Sequence, residues 1–200
     1  MAEPVTRGIR PATEEAVFAA TLDALADRGY GALTIEGVAA RSGVAKTTIY
    51  RWWPSKAALV IDAIAPVFAS VNPVAPEAGS DLRADLQAAV RRVVDGFQHR
   101  LEGIVLAGLV ADLARDPETA AAYRERIVRP RREAVTRLLE AWQARGRIRP
   151  DADLDLVQDL YVGPIYYRSL VTGAPVDDGF GDALVDAILA HVALPAGEGG

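Results

Sequence analysis

Two hundred residues, half of them hydrophobic, with a net charge of −5 and no cysteine, describe a soluble, intracellular-type globular protein of one or two domains. The lack of cysteine excludes disulfides, thiolate zinc sites, iron–sulfur clusters and cysteine nucleophiles, and His99 and His191 alone cannot build a histidine-rich metal site, so no metal and no cofactor is expected. The longest charge-free run, residues 63–76, is too short for a membrane span of about twenty residues, and MAEPVTRGIRPATEE lacks the apolar core of a signal peptide, so the expected place is the cytoplasm.

Apolar residues recur at three and four positions almost from end to end, which predicts an all-α fold of about nine helices. Thr13 is the expected N-cap of the first, with Glu14 and Glu15 in its first turn, Phe18, Leu22 and Leu25 buried, and Gly29 as its end. A second helix starts after Thr34, puts Ile35, Val38 and Ala39 on one face and stops at Ser42-Gly43, where glycine accepts the left-handed conformation of a tight corner. A third runs from about Lys46 to Trp53. Ser55 caps a fourth, with Leu59, Ala63, Val67 and Phe68 facing inward and Pro66 expected to bend or end it.

The linker-like NPVAPEAGSD, residues 72–81, marks a boundary between an amino-terminal domain, 1–71, and a carboxy-terminal domain, 72–200. In the fifth helix Leu82, Leu86, Val90, Val93, Val94, Phe97 and Leu101 form one stripe. Residues 104–110 are apolar nearly all round, as in a helix buried within a bundle. Asp116-Pro117-Glu118 starts a helix that runs to Arg145 with an interruption at Pro130. Asp153 caps the next, in which Gly163-Pro164 predicts a kink, and Asp178 opens the last, aligning Phe180, Leu184, Ile188 and Val192. The AGEGG tail is expected to be disordered.

The informative segment is IEGVAARSGVAKTTIYRWWPSKAAL, residues 35–59: two short helices around a glycine corner, then a third, the helix-turn-helix layout at about 34–53. Ile49 and Trp53, four apart, point to the core and leave Lys46, Thr47, Tyr50 and Arg51 on the opposite face. Such side chains neutralise phosphates, read guanine edges or touch a thymine methyl. Residues 37–61 hold Arg41, Lys46, Arg51 and Lys56 and no acid; the net charge is +1 over residues 1–60 and −6 over the rest, as in an acidic body with a basic reading head. Arg7 and Arg10, in the polar arm ahead of the first helix, could add phosphate or minor-groove contacts, and an arm of this length reads equally well as idle. Arginine outnumbers lysine twenty to two amid abundant Ala and Gly, a composition that points to a bacterial source.

On these residues the segment resembles the DNA-binding domain of the TetR (tetracycline-repressor) family: VAKTTIYRWWPSKAAL follows TIEGVAARSG and a first helix ending in glycine. The resemblance implies a homodimer that grips a palindromic operator in double-stranded DNA with two such heads, and a carboxy-terminal domain that dimerises and binds a small-molecule effector. Carried position by position, DNA contacts fall on Thr34, Lys46, Thr47, Thr48, Tyr50, Arg51, Trp52 and Lys56. Trp52-Trp53 stands where many relatives have His-Phe or Tyr-Phe; Trp53 fills the core site, and Trp52 puts a single-donor group where the backbone is often met. The stretch RGRIRPDADLDLVQDLYVGPIYYRSLVTG resembles a subgroup with a Gly-Pro-x-Tyr-Tyr-Arg core, and by this analogy the last two helices, about 153–172 and 178–192, form the dimer interface.

Phe97, Leu101, Leu109, Tyr123, Trp142, Tyr161 and Tyr166 are candidates to line a ligand cavity, each also readable as ordinary core. His99, near a helix end, reads as exposed. The basic run Arg124, Arg126, Arg129, Arg131 and Arg132 is interleaved with Glu125 and Glu133 and reads as a solvated face rather than a second DNA site. No G-x-S-x-G, H-E-x-x-H or P-loop is present, and GYGALT at Gly29 follows a helix where a dinucleotide site needs a strand, so no catalytic residue and no enzyme activity is expected. The reading that results is a ligand-responsive repressor in which effector binding moves the fourth helix and so the spacing of the recognition helices. The alternative is a helical small-molecule-binding or protein-interaction module without sequence-specific DNA binding.

Overall fold

The computed structural model describes residues 9–71, 78–99 and 101–192, and over them the chain is helical throughout, with no strand. The α-helices are α1 (Pro11–Ala32), α2 (Ile35–Ser42), α3 (Lys46–Trp52), α4 (Lys56–Val71), α5 (Leu82–His99), α6 (Leu101–Arg115), α7 (Pro117–Tyr123), α8 (Arg129–Ala144), α9 (Leu154–Tyr167) and α10 (Asp178–Val192). One π-turn, Arg124–Val128, joins α7 to α8 and another, Arg168–Thr172, extends α9, so these segments form nine continuous rods among the described residues.

Local chemistry sets most boundaries. Thr34 accepts a hydrogen bond from the Gly37 amide at 3.1 Å and Ser55 one from Ala58 at 3.1 Å. Asp116 accepts from Glu118 at 3.1 Å, and Asp153 from both Asp155 and Leu156 at 3.0 Å. Each oxygen satisfies an amide that the first helical turn leaves unpaired. Gly43 ends α2 at φ 70°, and Gly29 breaks the helical path of α1 at φ 71° before one last turn. The left-handed conformation at Gly43 costs an L-residue about 1–2 kcal/mol, and that of Gly29, extended in ψ, is essentially confined to glycine.

Several expectations shift. α1 begins at Pro11 rather than after Thr13, since proline at the first helical position has its φ preset and lacks an amide that would have no partner there. In it Val17, Ala20, Thr21, Ala24, Leu25 and Tyr30 are the buried residues, with Phe18 and Leu22 half-buried. Pro66 neither ends α4 nor stops its packing: Ile61, Ala63, Ile64 and Phe68 are buried on both sides of it and the helix runs on to Val71. The interruption expected at Pro130 takes the form of the π-turn just before it. Proline cannot donate to the Arg126 carbonyl four residues back and its ring crowds that carbonyl, which the wider turn relieves. Pro164 likewise lies inside α9, and the wide turn follows at Arg168. Asp177, not Asp178, supplies the capping oxygen of α10, to the Phe180 amide at 2.8 Å. α6 is not buried all round: Val105, Leu106 and Leu109 are covered, while Ala107 and Val110 face solvent. Most of the 72–81 linker and the AGEGG tail lie outside the described residues.

The chain divides into two compact units. One is formed by residues 1–68 together with 104–127, the other by 69–103 and 128–200. In the first, α6 comes so close to the end of α1 that a Cβ at Gly108 would stand 2.5 Å from Tyr30 Cβ. The Tyr30 hydroxyl donates to Asp112 one turn further along. In the second, α5, α8, α9 and α10 share a core of Leu86, Val94, Leu139, Trp142, Ile165 and Ile188 among others. At its edges Arg83 pairs with Asp186 at 2.6 Å, and Arg132 with both Asp155 and Asp159 at 2.8 Å.

Candidate DNA-binding surface

α3 has only seven residues, too few to be stable as an isolated helix. Its side chains hold it: Ile49 and the following Trp53 are wholly buried, and the Trp53 ring meets Phe18 of α1 with centroids 5.6 Å apart. Burying that face turns the other outward. Lys46, Thr47, Tyr50 and Arg51 are exposed, Tyr50 by 42%, as the four-residue spacing of the core pair predicts, and Thr34 is exposed at the start of α2. Thr48 and Trp52 are half-buried at the margin.

The electrostatics are more constrained than the composition suggests. Lys46 pairs with Glu36 of α2, and its ammonium lies 5.5 Å from the Tyr50 ring centroid. The hydrogen bond between them holds the Glu36 carboxyl below, and the Lys46 ammonium above, their usual ranges. Arg41 pairs with Asp27 at 2.7 Å. The Arg51 guanidinium stacks over the Trp52 ring at 5.2 Å, and the Trp52 Nε1 is buried with no hydrogen-bond partner. Lys56 is half-buried, donating to the Tyr30 carbonyl at 3.0 Å with its ammonium 4.2 Å from that ring's centroid. Tyr30 thus holds Lys56 on one side and Asp112 on the other. Burial first, and the hydrogen bond to Asp112 second, push its hydroxyl well above the ordinary tyrosine range, so it stays protonated.

Glu36 and Tyr30, which hold Lys46 and Lys56, and Asp62 with Arg126, which lie behind Trp53, did not figure among the expected site residues. Glu36 stands one position ahead of the acid-free window. Asp62 had a legible signal, being the one acid in the apolar body of α4, where a charge needs a partner.

The seven cavity candidates divide between the units. Phe97 and Tyr166 meet with ring centroids 5.0 Å apart, both half-buried. Trp142 and Tyr161 spend their donors inside the same unit, on Asp85 at 2.9 Å and on the Ala89 carbonyl at 2.8 Å. Leu109 and Tyr123 are buried in the other unit. The side chains of Leu101 and His99 lie outside the described residues. A groove of about 530 Å³ opens elsewhere, lined by Asp81, Leu82, Arg83, Gly146, Arg147, Leu189 and Val192. Of the basic run, Arg126 pairs with Asp62, Arg129 with Glu133 at 3.6 Å and Arg132 with two aspartates, partners that suit a structural face. Among the described residues no cluster of metal-ligating side chains forms, and no helix is long and apolar enough to cross a membrane.

Two family models match the chain: "Bacterial regulatory proteins, tetR family" over residues 17–63, and "Tetracyclin repressor-like, C-terminal domain" over residues 75–188. The chain is 35% identical over 168 residues to the uncharacterized HTH-type transcriptional regulator YdeS of Bacillus subtilis, covering 84% of this chain and 83% of that one. It is 31% identical over 180 residues to the DNA-binding transcriptional repressor TetR of Mycobacteroides abscessus, covering 90% and 93%. The crystal structure of the TetR family transcription regulator SCO0332 matches 91% of this chain and 99% of its own with a TM-score of 0.77, at 35% identity.

Proposed function

The chain belongs to the TetR family of helix-turn-helix transcriptional regulators, and we propose that it is a homodimeric repressor that reads a palindromic operator with α3 and releases it on binding a small-molecule effector. DNA binding, dimerisation and effector response are typical of that family. The observation that carries the reading is the division of α3 into a wholly buried edge, Ile49 with Trp53, and an exposed one of Lys46, Thr47, Tyr50 and Arg51. Thr34, Thr48, Trp52 and Lys56 complete the proposed contact set at its margins. A recognition helix in each protomer enters successive major grooves when the two are about 34–36 Å apart.

We place the DNA-binding domain at 1–71 and the ligand-binding and dimerisation domain at 72–200, a division supported by the two family matches, which leave only residues 64–74 between them. The dimer interface is assigned to α9 with its π-turn and to α10. Leu156, Tyr167 and Val171 are 42%, 60% and 68% exposed along the first, and Ala183, Ala187 and Ala190 are exposed along the second. The Gly-Pro-x-Tyr-Tyr-Arg core, on which we rest the subgroup assignment, falls in this same region. Of the cavity candidates, Phe97 and Tyr166 are the pair we favour to meet an effector, because their rings lie together and both are half-buried. A regulator that must reach DNA belongs in the cytoplasm.

Selection of bound sequences from random duplex DNA at near-physiological salt tests the proposal. An enriched inverted repeat is the expected result. Binding without sequence preference, removed by modest salt, would replace it with the interaction-module reading.

A further inference from the structure

α4 carries a carboxylate where its sequence is otherwise apolar. Asp62 is 7% exposed, and both of its oxygens are engaged. Oδ2 accepts a hydrogen bond from the Trp53 indole Nε1 at 2.8 Å, and Oδ1 pairs with the Arg126 guanidinium. Trp53 is the C-cap of α3, the position that ends the recognition helix. Arg126 is the middle residue of the π-turn that precedes Pro130. It stands 64 residues along the chain from Asp62, yet in the same compact unit.

A buried carboxylate is tolerated when paired and costly when its cation is withdrawn. The far end of α3 has no buried polar anchor: its N-cap, Ala45, makes no side-chain capping bond, and the Lys46–Glu36 pair there is solvent-exposed. The aim of this two-turn helix therefore rests on Ile49 and on Trp53, and the Trp53 indole is held by a carboxylate balanced from the carboxy-terminal half of the sequence.

We propose that Asp62 and Arg126 are positioning residues for operator reading: Asp62 fixes the end of the recognition helix through Trp53, and Arg126 compensates its charge without touching DNA. This deepens the reading above and rests on it.

The test uses the operator obtained by selection and compares wild type, Arg126→Met, Arg126→Lys and the double variant Asp62→Asn/Arg126→Met. The asparagine keeps an acceptor for Trp53 and removes the charge. Arg126→Met is expected to weaken operator binding by roughly tenfold or more, the scale of an uncompensated buried charge, with the slope of affinity against salt unchanged because no phosphate contact is lost. Arg126→Lys should retain part of the binding. The double variant should recover to within about threefold of wild type, since removing both charges together leaves none buried. Wild-type affinity in Arg126→Met, a double variant no better than Arg126→Met, or a salt slope reduced by about one in Arg126→Met would each overturn the proposal. If Arg126→Met does not fold, recovery in the double variant decides the question alone. Failure of wild type to select any operator would instead remove the functional reading on which the proposal rests.

Discussion

In the proposed DNA complex Lys46 has a partner to exchange. Its ion pair with Glu36 is solvent-exposed on both sides, and a phosphate competes for the same ammonium while Glu36 repels it. Glu36→Gln is therefore expected to tighten duplex binding by roughly three- to tenfold and to steepen its salt dependence, since one more cation is free to displace counterions; a filter-binding titration across salt concentrations measures both. The pair was hidden from a linear count because the α2–α3 corner brings Glu36, just outside the acid-free window, beside Lys46. The exposed faces of Lys46, Thr47, Tyr50 and Arg51 were legible, because two core residues four apart fix which way a helix turns. The engagement of Lys56 with Tyr30 was not, since it depends on where the end of α1 returns.

Helix boundaries were legible where a side chain caps its own helix, as Thr34, Ser55, Asp116 and Asp153 do, because donor and acceptor lie within three residues. They were less so around prolines, where burial on either side of Pro66 outweighs the lost hydrogen bond and a π-turn absorbs Pro130. The Asp62–Arg126 pair was illegible as a pair, since nothing local to either residue names the other. The corner glycine gives a clean test of the local reasoning. At Gly43 φ is 70° and nothing lies within 4 Å of a built Cβ, so Gly43→Ala adds backbone strain without a clash. The expected loss is about 1–2 kcal/mol in urea unfolding, and a loss of less than half that would mean the corner relaxes.

Each compact unit has its own polar seams, and in the second they leave the outward faces of α9 and α10 without cover in a single chain. Because Leu156 and Tyr167 are exposed apolar groups on the proposed interface, Leu156→Glu combined with Tyr167→Glu should convert the proposed dimer to monomer by light scattering. It should also cost operator affinity by a hundredfold or more, as two half-sites cease to be bound together. A variant still dimeric would move the interface elsewhere. The first unit gathers residues from both halves of the sequence, 1–68 and 104–127. Periodicity along the chain identifies such helices but not which of them share a core.

The near-contact between Gly108 and Tyr30 sets a limit on mutational drift. A Cβ there would fall 2.5 Å from Tyr30 Cβ and 2.7 Å from Cδ1, atoms too close to the backbone to swing aside. Overpacking of this kind costs about 1–3 kcal/mol, and every residue except glycine incurs it. In a saturation library sorted for operator occupancy in cells, position 108 should return glycine alone, while the solvent-facing position 107 accepts most side chains. A library that returned alanine at 108 as readily as glycine would show that α6 can step back from the reading head and leave it working.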